Sequence, residues 1–567
     1  MTYGIKFFSI LFLIISLIIG VIKLFNIKDI LKLKNKKSNI SPNKHSKNVN
    51  KTDINISKVL HNNTENNKVN IIYYNNATIK KIDRYYDLII VGAGLSGLTA
   101  AYEAKKLSNN SIKILLLETS SNYGGNANNE IDGINILMPT NNFNGKEKPK
   151  DNFTSFYDDT FDFGRYTNEK DLLTILVNNS YELYNFLFDE LNCQSLKLIK
   201  SEGSKVPRTL IYDNEEMTTG KYLSEKLFNK IRNISSIDIS FNSHFIDIIV
   251  NKDYTEVKGI IYEFQEGYDI VNKTIYSKAL ILATGGYGSD FYSEESLLKE
   301  FLVQYYHLPT FSTKHTQGIG IKIGRNKGAI LIDQKEAEIY PTCFVDLFDR
   351  YNKHKIIAPD FFRELGGILI NKRGRRFCNE MGYRRYVAQN ILKNSDIATD
   401  PNIIKQYECF LIINEGIKER YGEKIDDYIS KGYLKKYKSF DEFSKDMNIS
   451  EYYINIRKSI MNYNQGYDKN YDKFGKDKFP TKYKMGETIY VGIITPCIFH
   501  TFGGVRISEN GEILNEGKKP IKGFFASGQV IGGIHGSVAM QGNILTHSVV
   551  FGRLAAKTAV NYLNKFL

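Results

Sequence analysis

Cysteine is scarce in this 567-residue chain and never stands in a metal-binding or haem-binding pattern. Its five cysteines include no CxxC pair and no CxxCH sequence. An odd, scattered set argues against a disulfide scaffold and against a metal cluster, and the lack of CxxCH argues against a c-type haem. The five are Cys193, Cys343, Cys378, Cys409 and Cys497.

Most of the chain carries little net charge, although the whole chain has a net charge of +14. Residues 1–86 carry 15 Lys and Arg against 4 Asp and Glu, which gives +11 and leaves +3 for the remainder. The basic character therefore belongs to an N-terminal tail. It predicts no nucleic-acid partner for the folded part of the chain.

The N-terminus holds an apolar run of 16 residues, Phe7–Ile22, followed by Lys23. This run is shorter than the roughly 20 residues of a spanning helix, although two apolar residues follow the lysine. We interpret residues 1–26 as a signal peptide or a membrane anchor, and residues 27–84 as a disordered Lys/Asn-rich linker or targeting segment. The predicted location is membrane-anchored or endomembrane/secretory, or alternatively an organelle reached through a bipartite leader.

Three glycines with G-x-G-x-x-G spacing follow a short apolar run that predicts a buried parallel strand, Leu88–Val91. The residues after them have helical periodicity. In this arrangement Gly92 makes a tight turn, Gly94 lets the backbone approach a pyrophosphate, and Gly97 lets the helix pack on the strand. The spacing predicts a dinucleotide site at a helix N-terminus.

A second apolar run, Ile114–Leu117, ends on Glu118, 21 residues after Gly97. An acid at this distance is placed to hold the ribose hydroxyls of a dinucleotide. Strand, glycine turn, helix, second strand and terminal acid therefore agree with one another.

Seven short motifs follow in an order that resembles one family of flavoproteins. They read GAGLSG, YGGN, VPRT, ATGGY, GGILINKRGRRFCNE, HTFGG and GFFASGQVIGGIHG. This order is similar to that of the fumarate reductase and succinate dehydrogenase flavoproteins, in particular the soluble single-chain fumarate reductases, over residues 85–567. The resemblance implies an α/β fold. A Rossmann-type FAD-binding domain (85–336 and 488–567) would be interrupted by an inserted α+β clamp domain (337–487), with the active site at their junction.

The resemblance also implies FAD as cofactor. No histidine lies between Gly124 and Thr140, where membrane-bound members attach the flavin, so we expect non-covalent FAD. No haem motif or separate flavin mononucleotide domain is present, so the electron donor is expected to be external. The implied FAD contacts are Gly92, Gly94, Leu95, Ser96, Gly97, Glu118, Gly124, Gly125, Asn126, Gly133, Ile134, Thr284, Gly285, Gly528, Gln529, Asn543 and Ile544.

Flavoproteins of this family reduce an activated carbon–carbon double bond, with hydride from the flavin and a proton from an arginine. The matching residue here is Arg384, and the relay that returns its proton falls on Asp360 and Arg363. Arginine acts as an acid only where a lost proton is replaced at once, which a buried carboxylate beside a second arginine permits. His500, in the HTFGG motif, matches the histidine that holds a substrate carboxylate and polarises the alkene.

Two substrate positions depart from the family pattern. Tyr340 stands where the family has a histidine, and Ala539 stands where it has a substrate arginine. Loss of a buried charged hydrogen bond to a carboxylate costs about 2–5 kcal/mol, so fumarate would bind weakly. The combination resembles relatives that reduce other unsaturated acids, such as urocanate or cinnamate, in which tyrosine replaces that histidine. Because the arginine is also lost, a neutral or aromatic acceptor stacked on Tyr340 is the second expectation for this small unsaturated substrate.

The sequence thus predicts an FAD-dependent oxidoreductase acting on a CH–CH bond, of the fumarate reductase type. Two alternatives stay open at this point. One is a flavin dehydrogenase similar to ketosteroid dehydrogenases, in which hydride moves to the flavin. The other is an FAD-binding protein whose active site has decayed, which the residues at positions 340 and 539 keep open.

Overall fold

The structure is a computed structural model that describes residues 84–566 except 140–141, 144–145, 148–149, 214–216, 267–268 and 400–404. The described residues all belong to the unit Thr78–Leu567. The apolar run Phe7–Ile22, interpreted above as a signal peptide or anchor, lies outside the described residues, as does residue range 27–83. Within the described ranges, no helix is both long and apolar enough to cross a bilayer.

The N-terminal part of the described chain alternates short apolar strands with helices. Strands β1 and β2 are the two predicted apolar runs, and their buried positions carry aliphatic side chains on both faces, as expected between two helical layers. In chain order the elements are β1 (Tyr85–Val91), α1 (Leu95–Leu107), β2 (Ile114–Leu117), β3 (Ile134–Asn135), β4 (Asn142–Phe143), β5 (Lys146–Glu147), α2 (Phe153–Phe163), α3 (Lys170–Ser180), α4 (Leu183–Asn185), β6 (Leu196–Ile199), β7 (Thr209–Tyr212), α5 (Thr219–Ile231), β8 (Ile237–Ser240), β9 (Ser243–Val250), β10 (Val257–Glu266), β11 (Asp269–Leu282), α6 (Leu297–Phe301), α7 (Ile319–Asn326) and β12 (Leu331–Ile332).

The middle part of the chain mixes helices with antiparallel strands. Its helices begin at polar caps, for example at Asn414 and Ser439, whose side chains accept hydrogen bonds from backbone N–H groups of the first turn. The elements are β13 (Ala337–Phe344), β14 (Ile356–Ile357), α8 (Phe361–Glu364), β15 (Ile368–Ile370), α9 (Arg384–Asn394), β16 (Asp396–Thr399), β17 (Lys405–Asn414), α10 (Glu415–Tyr421), α11 (Glu423–Ser430), β18 (Lys435–Tyr437), α12 (Phe440–Asp446) and α13 (Tyr453–Lys469).

The C-terminal part returns to the first architecture after one long strand. Its final helix, 21 residues long, packs closely on α1 because Gly552 lies against the Ser96 carbonyl, where a Cβ would be 2.7 Å away. The elements are β19 (Ile489–Thr501), β20 (Gly504–Val505), β21 (Glu512–Leu514), β22 (Pro520–Ala526) and α14 (Asn543–Leu563).

The larger sheet has a parallel core. Strand β1 lies between β11 and β2, β8 follows β2, and β22 lies beside β11, all parallel. Strands β10 and β9 extend β11 in antiparallel fashion, and β21 pairs with β22. The core of this sheet therefore combines strands from both ends of the described chain. This arrangement confirms the predicted α/β fold class.

The second large sheet is antiparallel and has seven strands. Strand β19 lies at its middle and pairs with β13, β17 and β18, while β14, β15 and β16 complete it. Because β19 begins at Ile489, this sheet takes strands from both sides of the boundary placed between residues 487 and 488. The division into 85–336, 337–487 and 488–567 stays a prediction.

A buried ion-pair network lies under the second sheet. The Glu380 carboxylate accepts two hydrogen bonds of 2.8 Å from Arg376 and lies 3.1 Å from the Lys476 ammonium, and all three side chains are buried. Burial alone would raise the pKa of Glu380, but the two cations outweigh it and lower the pKa to about 2. The folded state therefore favours the ionised carboxylate.

Replacing Glu380 with glutamine is expected to lower the free energy of unfolding by about 3–5 kcal/mol at pH 7, because the buried Lys476 ammonium loses the carboxylate it pairs with and Arg376 keeps only Asp472, 3.0 Å away. Since the folded pKa is depressed, the wild-type contribution is present above the ordinary glutamate pKa and disappears as pH falls towards 2. Urea unfolding at pH 7 and at pH 3 measures both effects. As the control, Asp441→Asn removes the exposed pair with Lys445 and should change stability far less. An equal loss in both variants would contradict the assignment.

Candidate active site

The glycine turn between β1 and α1 packs against the end of β11. Gly92 has a φ of 107°, and a Cβ there would lie 2.3 Å from the Ala283 carbonyl oxygen. A Cβ on Gly97 would lie 1.8 Å from the Gly92 carbonyl oxygen. Only glycine fits at these two positions. At Gly94 the nearest atom to such a Cβ is 3.8 Å away, so this residue leaves its surroundings open.

A cavity opens over this turn, at the carboxyl ends of β1, β2 and β11. It extends from Glu118, just after β2, to His500 and Gln529. Open parallel sheets bind dinucleotides at this edge. The predicted cofactor contacts that line the cavity are Gly92, Gly94, Leu95, Ser96, Glu118, Gly124, Gly125, Asn126, Thr284, Gly285, Gln529 and Ile544.

Five other predicted contacts are not among its lining residues in the described part of the chain. Gly528 has a φ of 72° and packs on the glycine turn, since a Cβ there would lie 2.8 Å from the Ser96 Cβ. Asn543 bonds within the protein, accepting a 2.8 Å hydrogen bond from Asn135. The five residues are Gly97, Gly133, Ile134, Gly528 and Asn543.

The residues that line the cavity fit FAD in their chemistry. Glu118 ends the second parallel strand, and its carboxylate accepts hydrogen bonds from the backbone N–H groups of Ala93 (2.7 Å) and Ser120 (2.8 Å). Burial raises the pKa of this carboxyl group. Gly285, on the opposite wall, would present a Cβ to open space, with no atom within 4 Å. Glycine walls and a terminal acid are the features that a dinucleotide requires.

The three residues of the predicted proton relay lie together. Asp360 precedes the short helix α8 and accepts a hydrogen bond from Arg363 on one oxygen and from Arg384 Nε, at 2.7 Å, on the other. Arg384 begins α9, so two helix starts bring these residues together. Burial would raise the pKa of Asp360, but the two guanidinium groups outweigh it and lower the pKa to about 2.

A residue that the motif analysis did not select completes the environment of Arg384. Asp132 accepts a hydrogen bond from each terminal nitrogen of Arg384, and both bonds are 2.6 Å long. It also accepts a 3.0 Å hydrogen bond from Gln541. Arg384 is not a lining residue of the cavity within the described chain. The contacts run instead from the cavity through Glu130, which accepts a 3.2 Å hydrogen bond from the Asp132 backbone N–H, to Asp132 and then to Arg384.

His500 lines the cavity at its inner end. Its Nδ1 lies 2.7 Å from Gln529 Nε2, so the amide donates and Nδ1 accepts. The proton of the neutral ring is then on Nε2, which lies 3.0 Å from a Glu130 carboxylate oxygen. Burial lowers the pKa of His500, but Glu130 outweighs it and the pKa is raised above its ordinary value.

Both substrate positions that differ from the family pattern, Tyr340 and Ala539, are buried. Tyr340 is fully buried, its ring faces the Arg384 guanidinium at 4.7 Å, and Phe499 packs against its edge. One face of the ring is therefore already covered, which disfavours the predicted stacking of an acceptor there. Ala539 packs with Phe502 and Ile544 and brings no charge.

Sequence reasoning missed four acids and a cysteine pair. Glu130 and Asp132 lie shortly after the YGGN motif. Glu338 lies two residues before Tyr340 on β13, so alternation along the strand was a usable signal. Cys343 and Cys497, on the paired strands β13 and β19, form a disulfide across 154 residues. The missed acids are Glu130, Asp132, Glu202 and Glu338.

Comparison with known proteins agrees with this geometry. The family described as FAD binding domain matches residues 87–545. The chain is 29% identical over 478 residues to the fumarate reductase of Schizosaccharomyces pombe, which covers 83% of this chain and 88% of that protein.

Solved structures give the same result. The open conformation of a flavocytochrome c3 fumarate reductase has a TM-score of 0.71 and 25% identity, covering 85% of this chain and 79% of that one. A 3-ketosteroid Δ1-dehydrogenase from Sterolibacterium denitrificans has a TM-score of 0.63 at 15% identity, covering 84% of this chain and 100% of that one, which shows the fold alone.

Proposed function

This chain belongs to the family described as FAD binding domain, and from that membership we propose that it is an FAD-dependent oxidoreductase that reduces an activated carbon–carbon double bond. The similarity to fumarate reductases, which extends over most of the chain, supports an enzyme acting on CH–CH bonds. The observation that carries the proposal is the Arg384–Asp360–Arg363 array, in which one buried carboxylate joins two arginines beside the cofactor cavity.

The array has the connectivity of a proton relay. FAD, when bound in the cavity, supplies the hydride. Arg384 donates the proton to the alkene carbon from a terminal nitrogen. The ionised Asp360, whose Oδ2 lies 2.7 Å from Arg384 Nη2, passes on to it a proton taken from Arg363, and solvent resupplies Arg363. Arg363 holds the other oxygen of Asp360 and, through Nη1, also donates to the Glu380 carbonyl at 2.6 Å. Asp132 must release the terminal nitrogens of Arg384 for the transfer to occur.

His500 is the second polar group that we assign to the reaction. With Nδ1 accepting from Gln529, its Nε2–H faces a Glu130 carboxylate oxygen at 3.0 Å and polarises a carbonyl oxygen of the substrate once Glu130 releases it. Gln529 is then a positioning residue, since it fixes the ring tautomer. It also lines the cofactor cavity, so it joins the two sites.

We assign the flavin to non-covalent binding and its reduction to an external donor. Asn126 lines the cavity in the GGN motif, and no histidine occurs between Gly124 and Thr140. Precipitation with acid should therefore release all the flavin into the supernatant. Flavin that stays with the pellet would show a covalent link.

A panel of acceptors tests the proposed reaction. The purified protein is reduced with dithionite without air. Fumarate, urocanate, cinnamate and the cationic alkene 4-aminobut-2-enamide are then added in turn while flavin reoxidation is followed by absorbance. We expect one unsaturated acceptor to reoxidise the flavin faster than oxygen does, and fumarate to be slow because positions 340 and 539 supply no cationic donor. If no acceptor exceeds oxygen, the protein is a flavin carrier and the proposed reaction is wrong.

A further inference from the structure

We propose that the charged side chains between the inner end of the cavity and Arg384 bind an activated alkene that carries a protonated nitrogen, such as a primary ammonium group, in place of a second carboxylate. This inference rests on the proposed function and adds the substrate class to it. The observations that carry it are the identity of the charged groups, the pairing among them, and one buried hydroxyl without a partner.

Carboxyl groups outnumber cations around Arg384. Fully ionised, five carboxylates and three cations would give the group a net charge of −2. The cationic members are two arginines and one histidine, and each already has a carboxylate partner within the protein. The carboxyl groups are Glu130, Asp132, Glu202, Glu338 and Asp360, and the cations are Arg363, Arg384 and His500.

The groups that could hold a substrate carboxylate are occupied from within. Asp132 takes both terminal nitrogens of Arg384, and Glu130, two residues before it, lies against His500 Nε2. One short segment thus presents two carboxylates to these two donors. A dicarboxylate substrate would have to displace both of these carboxylates from their partners.

Two of the carboxyl groups lack a close cation. The nearest cation to Glu338 is Arg384 Nη1, 3.9 Å away, and the Glu202 carboxylate has no hydrogen-bond or ion-pair partner among the described residues. Burial raises the pKa of Glu202 to about 7 and that of Glu338 to about 8. A bound cation would pair with either group and favour its ionised form, so these two positions are where an ammonium group gains most.

Tyr340 supplies the independent sign of a ligand. Its side chain is fully buried, and its hydroxyl has no hydrogen-bond partner in the described part of the chain. Its ring lies 4.7 Å from the Arg384 guanidinium, the same group that lies 3.9 Å from the Glu338 carboxylate. A buried hydroxyl without a partner is costly, and an ammonium N–H donating to it would satisfy it.

Binding of small amides to the oxidised, FAD-loaded protein measures which ligand charge the site prefers, and it does so without turnover. The probes are 4-aminobut-2-enamide, which is a cation, and fumaramate, which is an anion with the same chain and amide; neutral fumaramide is the reference. Dissociation constants are measured from changes in the visible flavin spectrum. We expect the cation to bind roughly 10- to 100-fold more tightly than the anion, the range of one charged hydrogen bond.

Two variants locate the effect. Glu338→Gln and Glu202→Gln, made in the full chain, should weaken binding of the cation more than they weaken binding of fumaramide. The proposal is wrong if fumaramate binds as tightly as the cation or more tightly, or if the cation does not bind. It is also wrong if both variants keep the wild-type ratio of cation to anion affinity. These outcomes are independent of the acceptor panel, because they need no turnover; a holoenzyme that prefers the cation yet reoxidises with no acceptor refutes the reaction alone.

Discussion

Arg384→Lys is expected to reduce the rate of flavin reoxidation by the best acceptor about 10³-fold or more, while FAD content stays that of the wild type. The physical reason is the geometry of the guanidinium. Arg384 bonds to Asp360 through Nε and to Asp132 through both terminal nitrogens, three directions that one planar group serves at once. A lysine ammonium is a single point donor and cannot keep both carboxylates in contact.

Arg384→Lys preserves the positive charge, so it tests the role of the guanidinium more cleanly than Arg384→Ala does. Arg384→Ala would leave the buried Asp132 carboxylate without its cation and Asp360 with Arg363 alone, so its loss of activity would be mixed with loss of stability. The matched control is Arg385→Lys, the next residue of α9, which is partly exposed and should turn over normally. Stopped-flow reoxidation after dithionite reduction measures the rate, and visible absorbance measures bound FAD. Arg384→Lys with more than about a tenth of wild-type rate would remove the acid assignment.

The features predicted correctly from the sequence are those encoded by neighbouring residues. The glycine turn, its flanking strands and Glu118 lie within about thirty residues, and each requirement is local: a positive φ at Gly92, a close approach at Gly97, and an acid at the end of a strand. The predicted array of Arg384, Asp360 and Arg363 was likewise available from motifs, and the structure brings these three side chains together.

The missed features depend on pairing across long separations. Asp132 meets Arg384 over 252 residues, and Glu130 meets His500 over an even longer stretch, so no local pattern reveals either pair. The disulfide between Cys343 and Cys497 has the same origin, since it requires β13 to lie beside β19. The scattered cysteines argued against a fold held together by many disulfides. They did not exclude a single disulfide between two paired strands.

Strand β19 explains why a linear division of the chain is difficult. Its residues are buried throughout, so its sequence reads only as a long apolar strand. It pairs with β13 and β17 in the second sheet, and its last residues reach the cofactor cavity through His500. One strand thus serves both halves of the site. A perturbation of the second sheet is therefore transmitted directly to the position of His500.

The second large effect is expected from the glycine turn, where two substitutions to alanine should fail for different reasons. Gly97→Ala places a Cβ 1.8 Å from the Gly92 carbonyl oxygen and 3.3 Å from the Ala283 Cβ, so helix α1 must move away from the sheet. We expect a loss of about 3 kcal/mol or more in unfolding free energy together with loss of FAD. Thermal unfolding of the apoprotein and the holoprotein measures this.

Gly94→Ala should instead leave the apoprotein as stable as the wild type. Its backbone, with φ of −68° and ψ of 174°, suits any residue, and the nearest atom to the new methyl group is 3.8 Å away. The methyl group enters the cavity where the turn approaches the cofactor, so FAD affinity should fall at least roughly tenfold. Gly486→Ala, with no atom within 4 Å of its Cβ, should change neither property. Full FAD binding by Gly94→Ala would show that the cofactor does not pass over this turn, because a methyl group and a pyrophosphate cannot share that space.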